Sequence, residues 1–442
     1  MIRSESFTTH TLSSHPRGSS IARILAVAVQ AVEPGAAVSR FIKREGDSLF
    51  IAQREYALDK IGQIRVLGLG KACLAMAEPL IEILPPHLTR GLLIPKQIPT
   101  QPPTGFDLQP GGHPVPDENS LHAGEKALAL VNDLSEDDLL ICLISGGGSA
   151  LMSLLHPGIS LADLRVMTSA LLACGARVDE INTLRRHLDR LKGGGIARLA
   201  SPAHVISLIL SDVVGNPLEA IASGTTSPDP STRENALSVL EKYGLLEEIP
   251  KSIIACLEMV PETPKPADDL FKRVENVIVG SNALAAEAAR SQAQSEGFHP
   301  VMLGDDWQGE ARDVAQKFCR HLKTSTTPRP LCLIAGGETT VTLRGRGRGG
   351  RNQELSLAAV RELAGSETML ISLATDGDDG PTDAAGAVVT GETLQRGLDL
   401  GLSPESFLND NDSYSYFSAL NDLLKPGPTG TNVNDLLFGF GW

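Results

Sequence analysis

A succession of short apolar runs, each closed by a glycine, a hydroxyl or another small residue, limits what this chain can become. Residues 64–67 (IRVL) run into Gly68, 139–144 (LLICLI) into Ser145, and 205–210 (VISLIL) into Ser211. Farther on, 274–279 meets Gly280, 331–334 meets Ala335 and 369–374 meets Thr375. Each run has the length of a buried strand and is too short for a buried helix. Most are followed by a helix-like segment, such as 72–81 or 352–364. Strand, glycine turn and helix in succession predict an α/β fold with parallel sheets. Ligands of such sheets lie at the carboxyl ends of the strands, so the loops after these runs are where chemistry is sought.

The 442 residues suffice for two or three domains. A proline-rich stretch, 259–269 (MVPETPKPADD), marks a boundary near 262, and a second polar break lies at 323–330. We therefore expect domains over 20–262 and 270–438, with 274–323 assignable to either. Aromatic residues are 4% of the chain and the formal net charge is −14, which argues against nucleic acid and anionic lipid as partners. An anionic substrate must then be captured by local cations. Six cysteines without a C-x-x-C pair read as buried thiols in a reducing compartment. No apolar run reaches the roughly 20 residues of a membrane span. The polar start leads into 21–29, where Arg23 interrupts the apolar character. That pattern reads as a frayed tail before an amphipathic helix, and the expected compartment is the cytoplasm.

Six loops carry candidate chemistry. Gly68-Leu-Gly70-Lys71-Ala72-Cys73 has a strand before and a helix after, but Cys73 stands where a dinucleotide fingerprint needs its third glycine. It also lacks the hydroxyl residue of a P-loop at Ala72. What remains is Lys71, suited to an anion at a helix start. Ser145-Gly146-Gly147-Gly148-Ser149 can turn several amides onto one anion, with two hydroxyls to add. Residues 181–197 read as a helix ended by glycine that places Arg185, Leu188 and Lys192 near one face. Asp212, after the strand at 205–210, suits a metal, a proton or a helix cap equally.

The densest loop joins Gly336-Gly337-Glu338-Thr339 to Arg344-Gly-Arg346-Gly347-Arg348-Gly-Gly350-Arg351-Asn352. Arginines supply paired donors for phosphate, and Gly345-x-Gly347-x-x-Gly350 matches G-x-G-x-x-G, a weak signal by itself. Finally, Asp376-Gly-Asp378-Asp379-Gly-Pro-Thr-Asp383 bunches four carboxylates, which need solvent or a cation. It is not an EF-hand, since no glutamate closes the loop at the required spacing.

Together these loops resemble the glycerate 2-kinase family, with a DUF4147 N-terminal part and a MOFRL C-terminal part. The resemblance rests on VLGLGKA, GGHPVPDENSL, SGGGSAL, INTLRRHLDRLKGG, LSDVVGNPLEAIASG, VGSNALA, GGETTVTLRGRGRGGRNQEL, TDGDDGPTDAAGA and GTNVND, in the family's order from about residue 20 to about 437. It implies a Rossmann-like N-terminal domain with a parallel sheet, a smaller α/β C-terminal domain, and an active site in the cleft between them. It also implies phosphorylation of D-glycerate to 2-phosphoglycerate by ATP with Mg²⁺. The family's catalytic lysine and arginine map onto Lys71 and Arg351.

On this reading Asp378 or Asp379 acts on the glycerate hydroxyl, and Asp212, Glu338 and Asp376 compete for Mg²⁺. Ser145, Gly146, Gly147 and Ser149, with Arg185 or Lys192, take the substrate carboxylate. Gly336, Gly337, Thr339, Arg346, Gly347 and Gly350 take the nucleotide. Oligomeric state is left open, a homodimer being one option. Three positions depart from the family pattern: Asn216 for Asp, Thr225 for Pro and Gly195 for a basic residue. The alternatives are an NAD(P)-dependent hydroxypyruvate reductase using the Gly345–Gly350 motif, and a nucleotide-binding regulator without turnover.

Overall fold

The computed structural model describes residues 2–87 and 89–442. Its contacts divide the chain into two units, Pro34–Ser211 with Asn216–Val279, and Met1–Glu33 with Asp212–Gly215 and Gly280–Trp442.

The unit that starts at Pro34 opens with a small antiparallel sheet of β1 (Ile42–Glu45), β2 (Ser48–Ile51) and β3 (Arg54–Ala57). Its main sheet holds β4 (Ile64–Leu69), β5 (Thr89–Ile94), β6 (Asp107–Leu108), β7 (Leu139–Ile144), β8 (His204–Leu210) and β9 (Val274–Gly280). The strand order is β6-β5-β4-β7-β8-β9, and the β6–β5, β5–β4, β4–β7 and β7–β8 pairs are parallel. Every residue of β7 is buried, as its unbroken apolar run demands of a strand covered on both faces. Leu69 registers with both Ile94 and Ile144, so β4, β5 and β7 end side by side. Strand order reverses between β4 and β7, and the loops that follow these two strands therefore share the crevice such a reversal creates.

The other unit is built on β10 (His299–Met302), β11 (Trp307–Glu310), β12 (Leu331–Thr340), β13 (Thr368–Ala374), β14 (Gly386–Thr390), β15 (Leu423–Leu424) and β16 (Asp435–Gly441). Here the expected parallel sheet is mixed. The last strand, β16, inserts between β12 and β13 and runs antiparallel to both. Its sequence, DLLFGFG, is wholly buried. A terminal segment that apolar can join the sheet centre directly and needs no crossover helix. Phe318, Leu322, Leu333, Leu355, Val360 and Phe417 form the core beneath the sheet.

The amino-terminal segment is ordered and does not fray. The His10 amide donates to the Asn421 carbonyl, and the Thr11 amide and hydroxyl both donate to the Asp422 carboxylate at 2.8 Å. The helix Gly18–Gln30 lays its buried stripe of Ile21, Ile24, Leu25 and Ala28 along the helix Asn282–Ser295. The partner face is Ala285, Ala286, Ala289 and Ala293, small enough for close approach. Residues 20–33 thus pack with the C-terminal half, where the sequence placed them with the N-terminal one. The division after Val279 also lies beyond the proline-rich stretch, because β9 is hydrogen-bonded into the six-stranded sheet.

The helix read from 181 onward ends earlier than expected. It spans Val178–Leu188, and Asp189 is already extended and bridged to Leu155. Among the described residues no helix is long and apolar enough to cross a membrane.

Candidate active site

Lys71 follows β4, and the glycine turn follows β7, at the strand reversal. The turn is fixed by backbone and by Ser145: the Lys71 amide donates to the Gly146 carbonyl at 2.9 Å, and the Ala72 amide to Ser145 Oγ at 3.0 Å. Ser145 is buried, with its hydroxyl on the Leu69 carbonyl. It ties two loops together and is not available to a ligand, contrary to the expectation from sequence. The amides of Gly146 and Gly147, by contrast, find no acceptor among the described residues.

Gly147 has φ +84°, and a Cβ there would lie 3.0 Å from the His113 ring and 3.4 Å from Lys71 Cε. Glycine is therefore favoured by conformation, and the space beside it is tight. The exposed Lys71 ammonium has no ion-pair partner among the described residues. Burial, with the charges of Lys71 and Lys96, pushes the His113 imidazole below its ordinary value. An ammonium, a neutral imidazole and two open amides are a set suited to anionic oxygens. His113 was missed as a site residue, although it stands in the GGHPVPDENSL block.

Ser149 Oγ lies 2.8 Å from Ser223 Oγ. Ser223 is fully buried and sits with Ala222 in left-handed backbone, at φ 58° and 48°. Two successive non-glycine residues in that region cost on the order of 1 kcal/mol each, strain typical of functional turns. The Ser223 and Gly224 carbonyls accept from the Gly193 and Gly194 amides, so the KGGG turn is docked on this one. At Gly195 a Cβ would come 2.1 Å from the Arg190 carbonyl oxygen, leaving no room for the basic residue of the family pattern.

The two cations proposed for a substrate carboxylate part company. Lys192 is buried and pairs with Asp189 at 2.7 Å, while Asp189 also accepts from the Ser153 hydroxyl and the Leu191 amide. It is committed to the fold, off the helix that was expected to carry it. Arg185, half-buried, has no carboxylate partner among the described residues, and burial alone pushes its guanidinium down. Its neighbours Arg186 and His187 turn inward to the buried Asp229.

In the other unit Arg351 opens the helix Arg351–Leu363. Its Nε and Nη2 bind both oxygens of Asp435, at 2.6 and 3.2 Å, and Nη1 binds Glu338 Oε1 at 2.6 Å. Against its burial, the charges of Asp435 and Glu338 hold the guanidinium firmly protonated. Burial raises the Asp435 carboxyl above the usual carboxylate range, opposed by Arg351. Asp435 ends the GTNVND block and was not singled out from sequence.

Asp379 does not fit the role of base. Its carboxylate, buried, accepts from the Asn352 amide at 3.2 Å and the Gln353 amide at 2.9 Å. It caps the helix that Arg351 begins, supplied from another loop. Asp378 is exposed. Asp376 is half-buried, and burial raises its pKa while the nearby Arg351 charge opposes the shift.

The amides at the front of the glycine motif, 344–348, are also spent. Asn411 Oδ1 accepts from the Arg344 and Gly345 amides, at 2.7 and 3.0 Å. The Asp410 carboxylate and carbonyl take the amides of Arg346 and Gly347, and the Asp412 carboxylate that of Arg348. Side chains at Gly345, Gly347 or Gly350 would strike Asp410, Asp412 or Asp379. These glycines serve close packing of one loop on another, and the Gly345 and Gly347 amides are not open to a phosphate. Gly336, Gly337 and Thr339 are likewise not loop residues: they lie on β12, where Gly336 makes room for Asn282.

Among the described residues no three His, Cys, Asp or Glu side chains converge as a metal cage. Asp212 lies in the stretch Asp212–Gly215 that groups with the C-terminal unit. Asp376 and Glu338 both border Arg351. One or two carboxylates are what Mg²⁺ takes from a protein when nucleotide phosphates fill its other positions, so this donor set fits a nucleotide-borne ion.

A profile described as "Domain of unknown function (DUF4147)" matches residues 20–258, and one described as "MOFRL family" matches 331–435. D-glycerate 2-kinase of Thermotoga maritima is 41% identical over 388 residues, covering 86% of this chain and 91% of that protein. Glycerate 2-kinase of Pyrococcus horikoshii is 38% identical over 427 residues, covering 94% and 95%. The crystal structure of glycerate kinase from Thermotoga maritima superposes with a TM-score of 0.85 at 38% identity, over 95% of this chain and 98% of that one.

Proposed function

Because the chain belongs to the glycerate 2-kinase family, we propose that it transfers the terminal phosphoryl group of ATP to the 2-hydroxyl of D-glycerate. The observation that carries the reading beyond family membership is the unpartnered Lys71 beside the open Gly146 and Gly147 amides and the neutral His113. Phosphoryl transfer asks a protein mainly for positioning and charge neutralisation. Lys71 and the two amides bind anionic oxygens and stabilise charge as the phosphoryl group moves. His113, kept neutral, adds a hydrogen bond without adding a third charge to Lys71 and Lys96.

Arg351 is held in one orientation by Asp435 and Glu338, so it reaches a phosphate oxygen without reorganisation. Asp376, with its raised pKa, orients the glycerate hydroxyl and accepts its proton; this role passes to it from Asp379, which caps a helix. Glu338 would hold a nucleotide-borne Mg²⁺, which would neutralise phosphate charge, and leaves Asp376 free for the proton. Arg185, the unpaired cation of its helix, binds the substrate carboxylate.

Purified protein given Mg-ATP and D-glycerate should form 2-phosphoglycerate, identified by phosphorus NMR. Formation of the 3-phosphate, or NAD(P)H oxidation with hydroxypyruvate and no ATP turnover, would overturn the proposal.

A further inference from the structure

A second cationic groove lies at the far end of the six-stranded sheet from Lys71. Arg65 is the second residue of β4 and registers with Arg90 of β5. Paired residues of a parallel ladder project to one face, so the two guanidiniums stand side by side. Leu69, where β4 ends, is four residues on, about 13 Å along the strand. The helix Glu118–Val131 brings Lys126 to the same opening, and Phe106 and Asp107 border it. The groove encloses about 760 Å³, with Leu130 on its apolar wall. Phe106 lies on Gly91, where a Cβ would come 2.3 Å from the ring.

Nothing in the fold neutralises these cations directly. Among the described residues no carboxylate lies within 4.0 Å of Arg65, Arg90 or Lys126. Arg65 Nε is buried without a hydrogen-bond partner. Burial and the Arg90 charge push the Arg65 guanidinium down, opposed by Asp138 and Asp133. Asp138, however, is already engaged by Gln63 and Ser135, and Asp107 is exposed at the rim. Two adjacent arginines without an ion-paired carboxylate, in a chain of net charge −14, form a site that an anion completes.

We propose that this groove binds a phosphate ester. Arg65, Arg90 and Lys126 take the phosphate oxygens, and the Phe106–Leu130 wall takes the organic part. The inference does not depend on which reaction the Lys71 loops support. Calorimetry in magnesium-free buffer tests it with inorganic pyrophosphate and phenyl phosphate as probes, on the full chain, its Arg65→Gln/Arg90→Gln variant and its Lys71→Ala variant.

The Arg65→Gln/Arg90→Gln change should weaken the groove's binding at least tenfold, and Lys71→Ala should leave it intact. Phenyl phosphate should bind more tightly than its charge alone allows; affinity tracking charge alone would overturn the ester assignment in favour of free phosphate. Labelling of arginines with phenylglyoxal in the unmodified protein gives a readout independent of variant folding. Either probe should slow modification of Arg65 and Arg90 severalfold. Unchanged binding in the double variant, or no protection of the two arginines, overturns the site. Failure of the kinase assay would leave both of these results standing.

Discussion

Two glycine-rich loops look alike in sequence and end in opposite states. After β7, the SGGGS turn keeps the Gly146 and Gly147 amides open beside a free Lys71. After β12, the amides of 344–348 are consumed by Asp410, Asn411 and Asp412. Glycine allows close approach in both. What approaches differs: in the first loop the side chains of His113 and Lys71 crowd Gly147, in the second another loop of the same chain fills the space. On the proposed function, the chemistry of the second region rests on Arg351, held by two carboxylates, and not on its glycines.

The largest effect that can break this contrast is at Arg351. Arg351→Ala leaves the buried Asp435 without its bidentate partner and should cost about 3 kcal/mol in denaturant unfolding, with a rate loss of about 10²–10³. Adding Asp435→Asn should restore part of the stability and none of the turnover. Recovery of both would show Arg351 to be purely structural.

Lys71→Ala should lower turnover about 10²-fold while moving stability by no more than about 0.5 kcal/mol, since the side chain is exposed and unpartnered. In the same variant the His113 pKa should rise in an NMR titration, because one of the cations that depress it is gone. An unmoved His113 would separate the two residues and undo the anion site.

Asn411→Ala tests the second loop. It removes the acceptor of two part-buried amides and should cost about 1 kcal/mol, with protease cleavage appearing near 344–348. Stability within error of the parent would mean that the loop is held by other contacts. The smallest effect is a control away from both loops. Arg23 holds the Glu296 carboxyl down at about 2, against an ordinary 4.5. Its stabilisation is complete above 4.5 and is lost as pH falls from there toward 2. Because Arg23 is about half exposed, the loss should be below about 1 kcal/mol. Hydrogen exchange of Gly18–Gln30 should quicken over that window, and Glu296→Gln should abolish the pH dependence.

Much of the architecture was legible because it is local. The apolar runs at 139–144, 205–210 and 369–374 became β7, β8 and β13 within a residue. Lys71 and Gly147 were legible for the same reason, as a strand end and its turn. The helix through Lys192 was misread because cation spacing said nothing of Asp189, which draws Lys192 into the interior. Asp379 looked like one of four equivalent acids, and only the packing of its loop on the helix Arg351–Leu363 made it a cap.

By itself, then, the sequence determined the α/β class, the strands and the loops where charge and glycine meet, all set by neighbours along the chain. Tertiary structure alone decided the insertion of β16, the docking of the helix Gly18–Gln30 on Asn282–Ser295, and which glycine loop kept its amides. The physical reason is the same in each case. A hydrogen-bonding group is open or spent according to what distant segment lies against it, and no local pattern records that partner.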